Sequence, residues 1–243
     1  MKEDTAQRLL AINRAFYRRH AVDFARTRRQ AWPGWERLRP WLRGRARLLD
    51  VGCGNGRFGR FWAQLHPNEP LGYHAIDTSL PLLWEAAHTM GAFPRVHTRL
   101  EWRDIFRDPP RHGHYPLIVM LGVLHHIPGH SHRAALLRAL AARLSAGGIL
   151  IITFWRFGAD PRLRGRARPW PPALADRVEA NDFLLPWGEG QEGAVRYCHH
   201  FDENEERELV ATSGLRLAQS FAADGASGAL NAYRILRQDN NNT

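Results

Sequence analysis

The sequence predicts an α/β fold built around a mainly parallel β-sheet. Short apolar segments alternate with amphipathic ones through the middle of the chain, as expected when each strand is followed by a crossover helix. A glycine-rich turn, Gly52 to Gly56, follows the first of these strands. With 243 residues, of which 44% are hydrophobic and 24% charged, the chain has the size and composition of one large globular domain.

The first 45 residues are predicted to be helical. Apolar side chains recur there at roughly helical spacing, at Leu9, Leu10, Ile12, Phe16 and Phe24. We therefore treat residues 1–45 as a helical extension that precedes the core.

Residues 46–155 are predicted to alternate between strands and helices and to form the ligand-binding core. The predicted strands are Arg47–Val51, Leu71–Asp77, Val96–Trp102, Leu117–Leu121 and Ile149–Trp155. The predicted helices are Arg57–His66, Leu80–Gly91 and Ser131–Leu144. The pair Gly147-Gly148 is expected to close the last helix before the chain enters the final strand of the core.

Residues 156–200 interrupt this alternation. They are rich in Arg, Pro and Trp and show little periodicity. A stretch of that length is more often a lid or substrate loop than a plain connection, so it is predicted to be an insertion that binds the substrate.

Residues 201–237 are predicted to complete the same domain with a helix and two strands. Asp202 is a good N-cap, and Glu205 stands at the capping-box position of a helix that ends at Gly214. The two closing strands are predicted at Leu215–Phe221 and Ala229–Leu236. The polar residues 238–243 are expected to form a frayed tail.

Arginine dominates the charge of the chain. The formal net charge is +10, and Lys2 is the only lysine. A GC-rich genome explains the ratio of Arg to Lys but not the distribution, because the segment from Arg8 to Arg60 holds fourteen arginines and three acidic residues. A segregated basic surface favours a polyanionic partner such as nucleic acid.

The sequence indicates no export or membrane anchoring. No apolar run approaches the ~18 residues of a membrane span, and the first residues lack an apolar signal region. Two cysteines, Cys53 and Cys198, cannot form a disulfide framework, which is typical of a reducing compartment. We therefore expect a cytoplasmic protein with no membrane partner.

The segment Leu49–Gly56 predicts a site for a nucleotide-like ligand. Its glycines allow backbone amides at a helix N-terminus to approach a ligand closely. Asp77 ends the next strand, where a carboxylate can accept hydrogen bonds from both ribose hydroxyls. The segment Gly54–Gly59 also satisfies the dinucleotide pattern, so a dinucleotide stays open. Asp50, however, suits a ligand with a cationic amine, such as a sulfonium cofactor, better than it suits a pyrophosphate.

The segment Leu49–Gly56 resembles motif I of the class I S-adenosylmethionine (SAM)-dependent methyltransferases, and the resemblance extends over about residues 45–155. It implies SAM as cofactor and a Rossmann-like, seven-stranded, mainly parallel sheet whose last strand is antiparallel. Pro116 is a departure, since many members carry Asp at the start of the fourth strand. The cofactor-binding residues that it implies are Arg28, Asp50, Gly52, Gly54, Asn55, Gly56, Asp77, Asp104, Ile105 and Leu121.

The flanking segments are similar to a narrower group, the tRNA methyltransferases that esterify carboxymethyluridine at the wobble position. The matching segments are Phe24–Arg28, Trp32-Pro33, Leu124–His126, Trp155, Leu185–Trp187 and Arg196–Phe201. The similarity implies tRNA as substrate and leaves open a small activator subunit, since eukaryotic members work with a small zinc-binding partner. The expected base-stacking residues are Trp32, Trp155 and Trp187. The expected catalytic residues are His125, His126, Arg196, Tyr197 and His199.

Other functions and structural roles are also compatible with these residues. A small-molecule methyltransferase and a non-catalytic SAM-fold protein that binds RNA are the two other functions. Each Trp could instead pack in the hydrophobic core. One of the loop histidines could act as a base for a hydroxyl acceptor or could form a hydrogen bond to the backbone. Arg196 could form an ion pair with the acidic residues of 203–208. No metal site is expected, because no Cys or carboxylate lies in the segment that holds His125, His126, His130 and His132.

Overall fold

The computed structural model describes residues 1–188 and 194–239. The predicted helical extension is present as α1 (Glu3–Arg26), a 3-10 helix (Pro33–Leu38) and α2 (Arg39–Leu42). Residues 27–32 interrupt it, and Trp32 is extended, as is usual for a residue that precedes proline. None of the helices in the described part of the chain is long and apolar enough to cross a membrane.

Residues 47–155 alternate between strands and helices as predicted. The strands are β1 (Arg47–Val51), β2 (Leu71–Asp77), β3 (Val96–Trp102), β4 (Tyr115–Met120) and β5 (Leu144–Trp155). The helices are α3 (Arg57–Gln64), α4 (Leu80–Gly91) and α5 (His130–Ala141), together with a 3-10 turn at Leu124–His126. The bounds of β1, β2, β3 and α4 are those predicted, because strong apolar patterns and clear end signals define these elements locally.

The prediction that Gly147-Gly148 closes a helix is wrong. Helix α5 ends at Ala141, and both glycines lie inside β5. The pairing of β5 with β4 is irregular at this point. A Cβ atom on Gly148 would lie 2.8 Å from the Ser145 carbonyl oxygen, so the glycine permits a close backbone approach within the strand.

The insertion contains regular structure that the sequence pattern did not reveal. It holds a 3-10 helix (Phe157–Ala159), α6 (Pro161–Arg164), α7 (Pro172–Ala175), β6 (Asp182–Pro186) and β7 (Val195–His199). Strands β6 and β7 pair as a separate antiparallel sheet. Buried polar residues in these strands hide the usual alternation. Residues 189–193 of the predicted insertion lie outside the described residues.

The closing unit consists of α8 (Glu203–Thr212), β8 (Arg216–Ala223) and β9 (Asn231–Arg237). The predicted N-cap is confirmed, because the Asp202 carboxylate accepts a hydrogen bond of 2.9 Å from the backbone N–H of Glu205. Residues 240–243 of the predicted tail lie outside the described residues.

The main sheet has seven strands in the order β3-β2-β1-β4-β5-β9-β8. Strands β1 to β5 are parallel to one another, and β9 is inserted antiparallel between β5 and β8. This topology confirms the predicted mainly parallel sheet with an antiparallel last strand. One apolar cluster packs on each face of the sheet. The carboxyl ends of β1, β2, β4 and β5 meet at one edge, where open α/β sheets bind ligands.

Candidate active site

A cavity of about 700 Å³ opens at the carboxyl edge of the sheet, between the strand ends, α1 and β7. It brings together fourteen of the residues that the sequence predicted for the site. They are Arg28, Trp32, Asp50, Gly52, Gly54, Asn55, Asp77, Asp104, Ile105, Leu121, His125, His126, Trp155 and Arg196. Four other predicted residues, Gly56, Trp187, Tyr197 and His199, lie outside the lining of this cavity.

The glycine loop has a backbone shape that other residues would disturb. Gly52 has φ of 72° and Gly54 has φ of 55°, both in the left-handed region. A Cβ atom on Gly52 would lie 2.3 Å from Cγ2 of Val123, so a side chain there would collide with the opposite wall. Gly56 also allows close packing between two helices. Its missing side chain lets the start of α3 pack against Ala86 of α4.

Two carboxylates, the buried Asp50 and the half-buried Asp77, define the cofactor side of the cavity. Oδ2 of Asp77 accepts a 2.9 Å hydrogen bond from the backbone N–H of Gly54, and Oδ1 accepts one of 2.8 Å from Ser79. Burial raises the pKa of Asp77, although these N–H donors oppose the rise. Asp50 accepts a 2.8 Å hydrogen bond from the Tyr73 hydroxyl, and burial raises its pKa to about 7. This end of the cavity therefore suits a ligand with hydroxyl groups and positive charge.

The 27–32 segment is fastened to the glycine loop. The side-chain amide of Asn55 donates hydrogen bonds to the carbonyl oxygens of Arg28, at 3.0 Å, and Ala25, at 3.4 Å. Trp32, at the end of this segment, packs against Gly122, where a Cβ atom would lie 2.9 Å from its ring. These contacts carry Arg28 and Trp32 to the rim and wall of the cavity.

His126 is a neutral imidazole with hydrogen-bond partners that the sequence did not reveal. Its Nδ1 lies 3.0 Å from the carbonyl oxygen of Tyr197, and its Nε2 lies 3.0 Å from the hydroxyl of Tyr17. The side-chain nitrogen of Asn13 also lies 3.2 Å from Nδ1. Burial and the charge of Arg196 lower the pKa of His126 to about 3. Tyr17 lies on α1, and helical spacing could not have indicated a partner so distant in the chain.

His125 is also neutral. It is buried, and its Nδ1 has no hydrogen-bond partner among the described residues. Burial lowers its pKa well below the ordinary value, and the neighbouring His126 and Arg196 add to this effect. Its ring centroid lies 4.8 Å from that of Trp155, so these two side chains together form one wall of the cavity.

Arg28 and Arg196 line the acceptor side of this cavity, and neither forms an ion pair with a carboxylate among the described residues. Arg196 is buried, its Nε has no hydrogen-bond partner in the described residues, and its guanidinium lies 5.3 Å from the ring centroid of Phe16. The guanidinium of Arg28 lies 4.0 Å from the ring centroid of Phe24. Burial and repulsion by Arg196 lower the pKa of Arg28 to about 10. Because desolvated charges are costly without counter-charges, this arrangement indicates an anionic ligand.

The structure contradicts the predicted catalytic positions of Tyr197 and His199. The Tyr197 hydroxyl donates a 2.8 Å hydrogen bond to Asp182. His199 lies between Asp182 and Glu205, with each ring nitrogen 2.7 Å from a carboxylate oxygen. Successive side chains of a strand point to opposite faces, so Arg196 faces the cavity while Tyr197 and His199 face a buried polar network.

Two further expectations about this region are also corrected. Trp187 does not line the cavity but packs on α1, with ring centroids 5.7 Å from Phe16 and 5.9 Å from His20. Arg196 does not pair with the acids of residues 203–208, which instead bind other cations. Those pairs include Glu205 with Arg133 and Glu203 with Arg156.

The histidine pair also lies close to Cys198. The potential metal-ligating atoms of His125, His126 and Cys198 lie within 4.8 Å of one another. Burial raises the pKa of the Cys198 thiol to about 12, and Arg196 adds positive charge beside the cluster. Both ring nitrogens of His126 are already hydrogen-bonded. The cluster is therefore poorly suited to a cation and belongs to the wall of the cavity.

Comparison with known proteins agrees with this geometry. Residues 49–150 match the family described as "Methyltransferase domain". The fold is similar to that of 1,6-didemethyltoxoflavin-N1-methyltransferase from Burkholderia thailandensis, with a TM-score of 0.68 and 18% identity over 96% of this chain and 90% of that one. The chain has the class I methyltransferase fold, and residues 49–150 are similar to a methyltransferase domain. That structure from Burkholderia thailandensis holds bound S-adenosylhomocysteine.

Some of the curated relatives are named as tRNA methyltransferases. The chain is 27% identical over 197 residues to the probable tRNA methyltransferase 9B of Bos taurus, and the match covers 76% of this chain. It is also 27% identical over 161 residues, or 65% of this chain, to the tRNA (carboxymethyluridine(34)-5-O)-methyltransferase of Arabidopsis thaliana. The matched parts span 37% and 36% of the length of these two relatives.

The carboxylates on the cofactor side fit SAM. The Asp77 carboxylate suits its ribose hydroxyls, and Asp50 suits its positively charged groups. When bound, SAM supplies an electrophilic methyl group on a sulfonium sulfur. The methyl acceptor would then lie on the opposite side of the cavity, beside the arginine and histidine side chains.

Replacing Asp77 by alanine is expected to weaken SAM binding by about 1–3 kcal/mol. The change removes the charge-assisted acceptor for ribose and also the anchor of the Gly54 N–H. Calorimetric titration of the purified protein measures the effect. The exposed Asp176→Ala variant is a matched control. Unchanged affinity of Asp77→Ala for SAM would contradict the assignment of this carboxylate to the ribose.

Proposed function

We propose that this protein methylates the carboxylate of a carboxymethyl-type uridine at the wobble position of tRNA. The observation that carries the proposal is the pair Arg28 and Arg196, which form no ion pair among the described residues and lie beside two neutral histidines at one cavity. The pair favours an anionic acceptor. The histidines favour one that needs no deprotonation.

The protonation states distinguish a carboxylate from a hydroxyl or amine acceptor. A general base works best when its pKa lies near the operating pH. The pKa of His126 is about 3, and that of His125 is lowered well below its ordinary value, so neither suits this task. A carboxylate with an ordinary pKa of about 4 is already ionised at pH 7 and is nucleophilic without a base.

Arg196 is the residue we assign to hold the acceptor. A guanidinium can bind both oxygens of a carboxylate in a planar, two-point contact, which determines which oxygen faces the methyl group. The rings of Trp155 and Phe16 lie 5.9 and 5.3 Å from the guanidinium and limit its movement. His125 and Trp155 would form the wall against which the acceptor nucleoside packs.

Three observations support tRNA as the molecule that carries this carboxylate. The relatives from Bos taurus and Arabidopsis thaliana are tRNA methyltransferases by name. The N-terminal part of the chain is strongly basic, as RNA backbone binding requires. Aromatic side chains, including Trp32 and Trp155, line the cavity and could stack on a base that leaves its loop.

Incubation with labelled SAM and bulk tRNA from a strain that lacks the enzyme is expected to label a modified wobble uridine. Nucleoside mass spectrometry should show one added methyl group. Mild alkali should remove that group, because esters hydrolyse under conditions that leave N-methyl and ether groups intact.

Transfer RNA from a strain that cannot form the carboxymethyl group is the matched control and should stay unlabelled. An alkali-stable methyl group would contradict the carboxylate acceptor. Labelling of small carboxylic acids but not of tRNA would favour a small-molecule methyltransferase.

A further inference from the structure

A second cleft, of about 480 Å³, borders the active-site cavity. Four arginines line it, from α1, the 27–32 segment and α3, and we refer to it as the arginine cleft. These arginines are Arg26, Arg29, Arg57 and Arg60. Among the described residues that line the cleft, Glu85 is the one carboxylate. The surface is therefore strongly positive.

The positive charge of the cleft is not neutralised by neighbouring side chains. Arg26 forms an exposed 3.4 Å ion pair with Asp23, a type of contact that contributes little. No ion pair of Arg29, Arg57 or Arg60 occurs within the described residues. Burial and repulsion by Arg28 lower the pKa of Arg57 to about 10. An anion in the cleft would relieve this repulsion.

The guanidiniums also keep donors free for a ligand. Arg57 donates a 3.1 Å hydrogen bond to the carbonyl oxygen of Gln30, and Arg60 donates to that of Arg29. Each guanidinium has five N–H groups, so these bonds leave several unused while they orient the side chains. The contacts also support the backbone of the 27–32 segment.

The position of the cleft relates it to the acceptor. Arg26, Arg29, Asn55 and Arg57 line both the cleft and the active-site cavity. An RNA chain whose base enters the cavity would therefore pass directly over the cleft with its backbone.

We propose that the arginine cleft binds backbone phosphates next to the nucleoside that enters the active site. Guanidinium groups match phosphate oxygens in planar, two-point contacts, and four of them around one small cleft favour a phosphate over a carboxylate-bearing protein segment. This inference rests on the proposed tRNA substrate.

Filter binding of tRNA across a salt series tests the cleft. The slope of log affinity against log salt reports the phosphates that the protein neutralises. The double variant Arg29→Gln/Arg60→Gln is expected to reduce the steepness of this slope by about one to two. Thermal unfolding of Arg29→Gln alone should stay unchanged, because this side chain makes no hydrogen bond among the described residues. The single variant Arg29→Gln, which changes an exposed side chain, should give about half of the effect. Because it leaves the hydrogen bond of the Arg60 side chain intact, this result would exclude an indirect effect through that bond.

The matched control is Arg43→Gln/Arg138→Gln, which removes the same charge from exposed positions before β1 and near the end of α5. Its slope should equal that of the wild type. An equal loss in both double variants, or no loss in Arg29→Gln/Arg60→Gln, would overturn the proposal. Calorimetry with inorganic phosphate, on the wild type and on Arg29→Gln/Arg60→Gln, is a further measurement. If the variant loses phosphate binding but keeps the tRNA slope of the wild type, the cleft binds a small ligand, and the proposal is also overturned. A changed slope without ester formation would instead refute the proposed function.

Discussion

Replacing Arg196 by alanine is expected to reduce turnover of the tRNA acceptor by about a hundredfold or more, while SAM affinity is retained. The variant loses the group that positions the acceptor oxygen, and a misplacement of ~1 Å can cost roughly a hundredfold in such reactions. Asp50 and Asp77, on the cofactor side, remain intact. Single-turnover kinetics measure the first effect, and calorimetry with SAM measures the second.

Arg196→Lys separates charge from geometry at the same position. Lysine keeps the positive charge but loses the planar fork, so turnover should fall by about an order of magnitude. Arg164→Ala, an exposed arginine of the same insertion, is the matched control and should retain normal turnover. Normal turnover by folded Arg196→Ala protein would refute the carboxylate clamp and favour a different acceptor.

Replacing Arg133 by methionine is expected to lower the free energy of unfolding by about 3–5 kcal/mol. Arg133 is 1% exposed, and its guanidinium lies 2.7 Å from both Glu179 and Glu205. It also donates a 3.0 Å hydrogen bond to the carbonyl oxygen of Ile127. Its removal leaves buried carboxylates with one cation fewer. Urea denaturation measures the loss, and the exposed Arg138→Met variant of the same helix should show little change.

His199 makes the stability of this network depend on pH. Burial opposes its charge, but hydrogen bonds to Asp182 and Glu205 outweigh burial and raise its pKa above the ordinary 6.5. Its contribution is therefore complete below about pH 6.5 and is lost as the pH rises through the raised value. The wild type should be more stable than His199→Gln at pH 6, and the difference should shrink at higher pH. A difference that grows with pH would contradict a protonated His199.

These stability effects concern the strand that carries Arg196. Tyr197 and His199 bond to Asp182 of β6, and His199 also bonds to Glu205 of α8. The network thus fastens the insertion to the core from the side opposite the cavity. Residues that the sequence resemblance placed among the catalytic groups instead stabilise the strand that presents Arg196.

The cofactor side of the site could be predicted from the sequence because its determinants are local. The strand that holds Asp50, the three glycines after it and the next strand, which ends at Asp77, are close together in the sequence. The right-handed crossover places the end of the second strand beside that of the first. The observed hydrogen bond between Gly54 and Asp77 follows from that topology. Strong apolar segments determined β1 and β2 in the same way, and the alternation of apolar and polar residues determined β3.

The acceptor side depended on contacts between distant parts of the chain. Which residues of β7 face the cavity follows from how its pleat packs against α1, where Asn13 bonds to the backbone of Tyr197. The low pKa of His126 arises from its burial beneath Tyr17 and beside Arg196. The sequence by itself therefore determined the fold and the cofactor loop. Only the tertiary structure decided which side chains on the acceptor side are neutral, which are charged and which point away from the cavity. The reason is that packing, and not the local sequence pattern, determines burial and electrostatic neighbours.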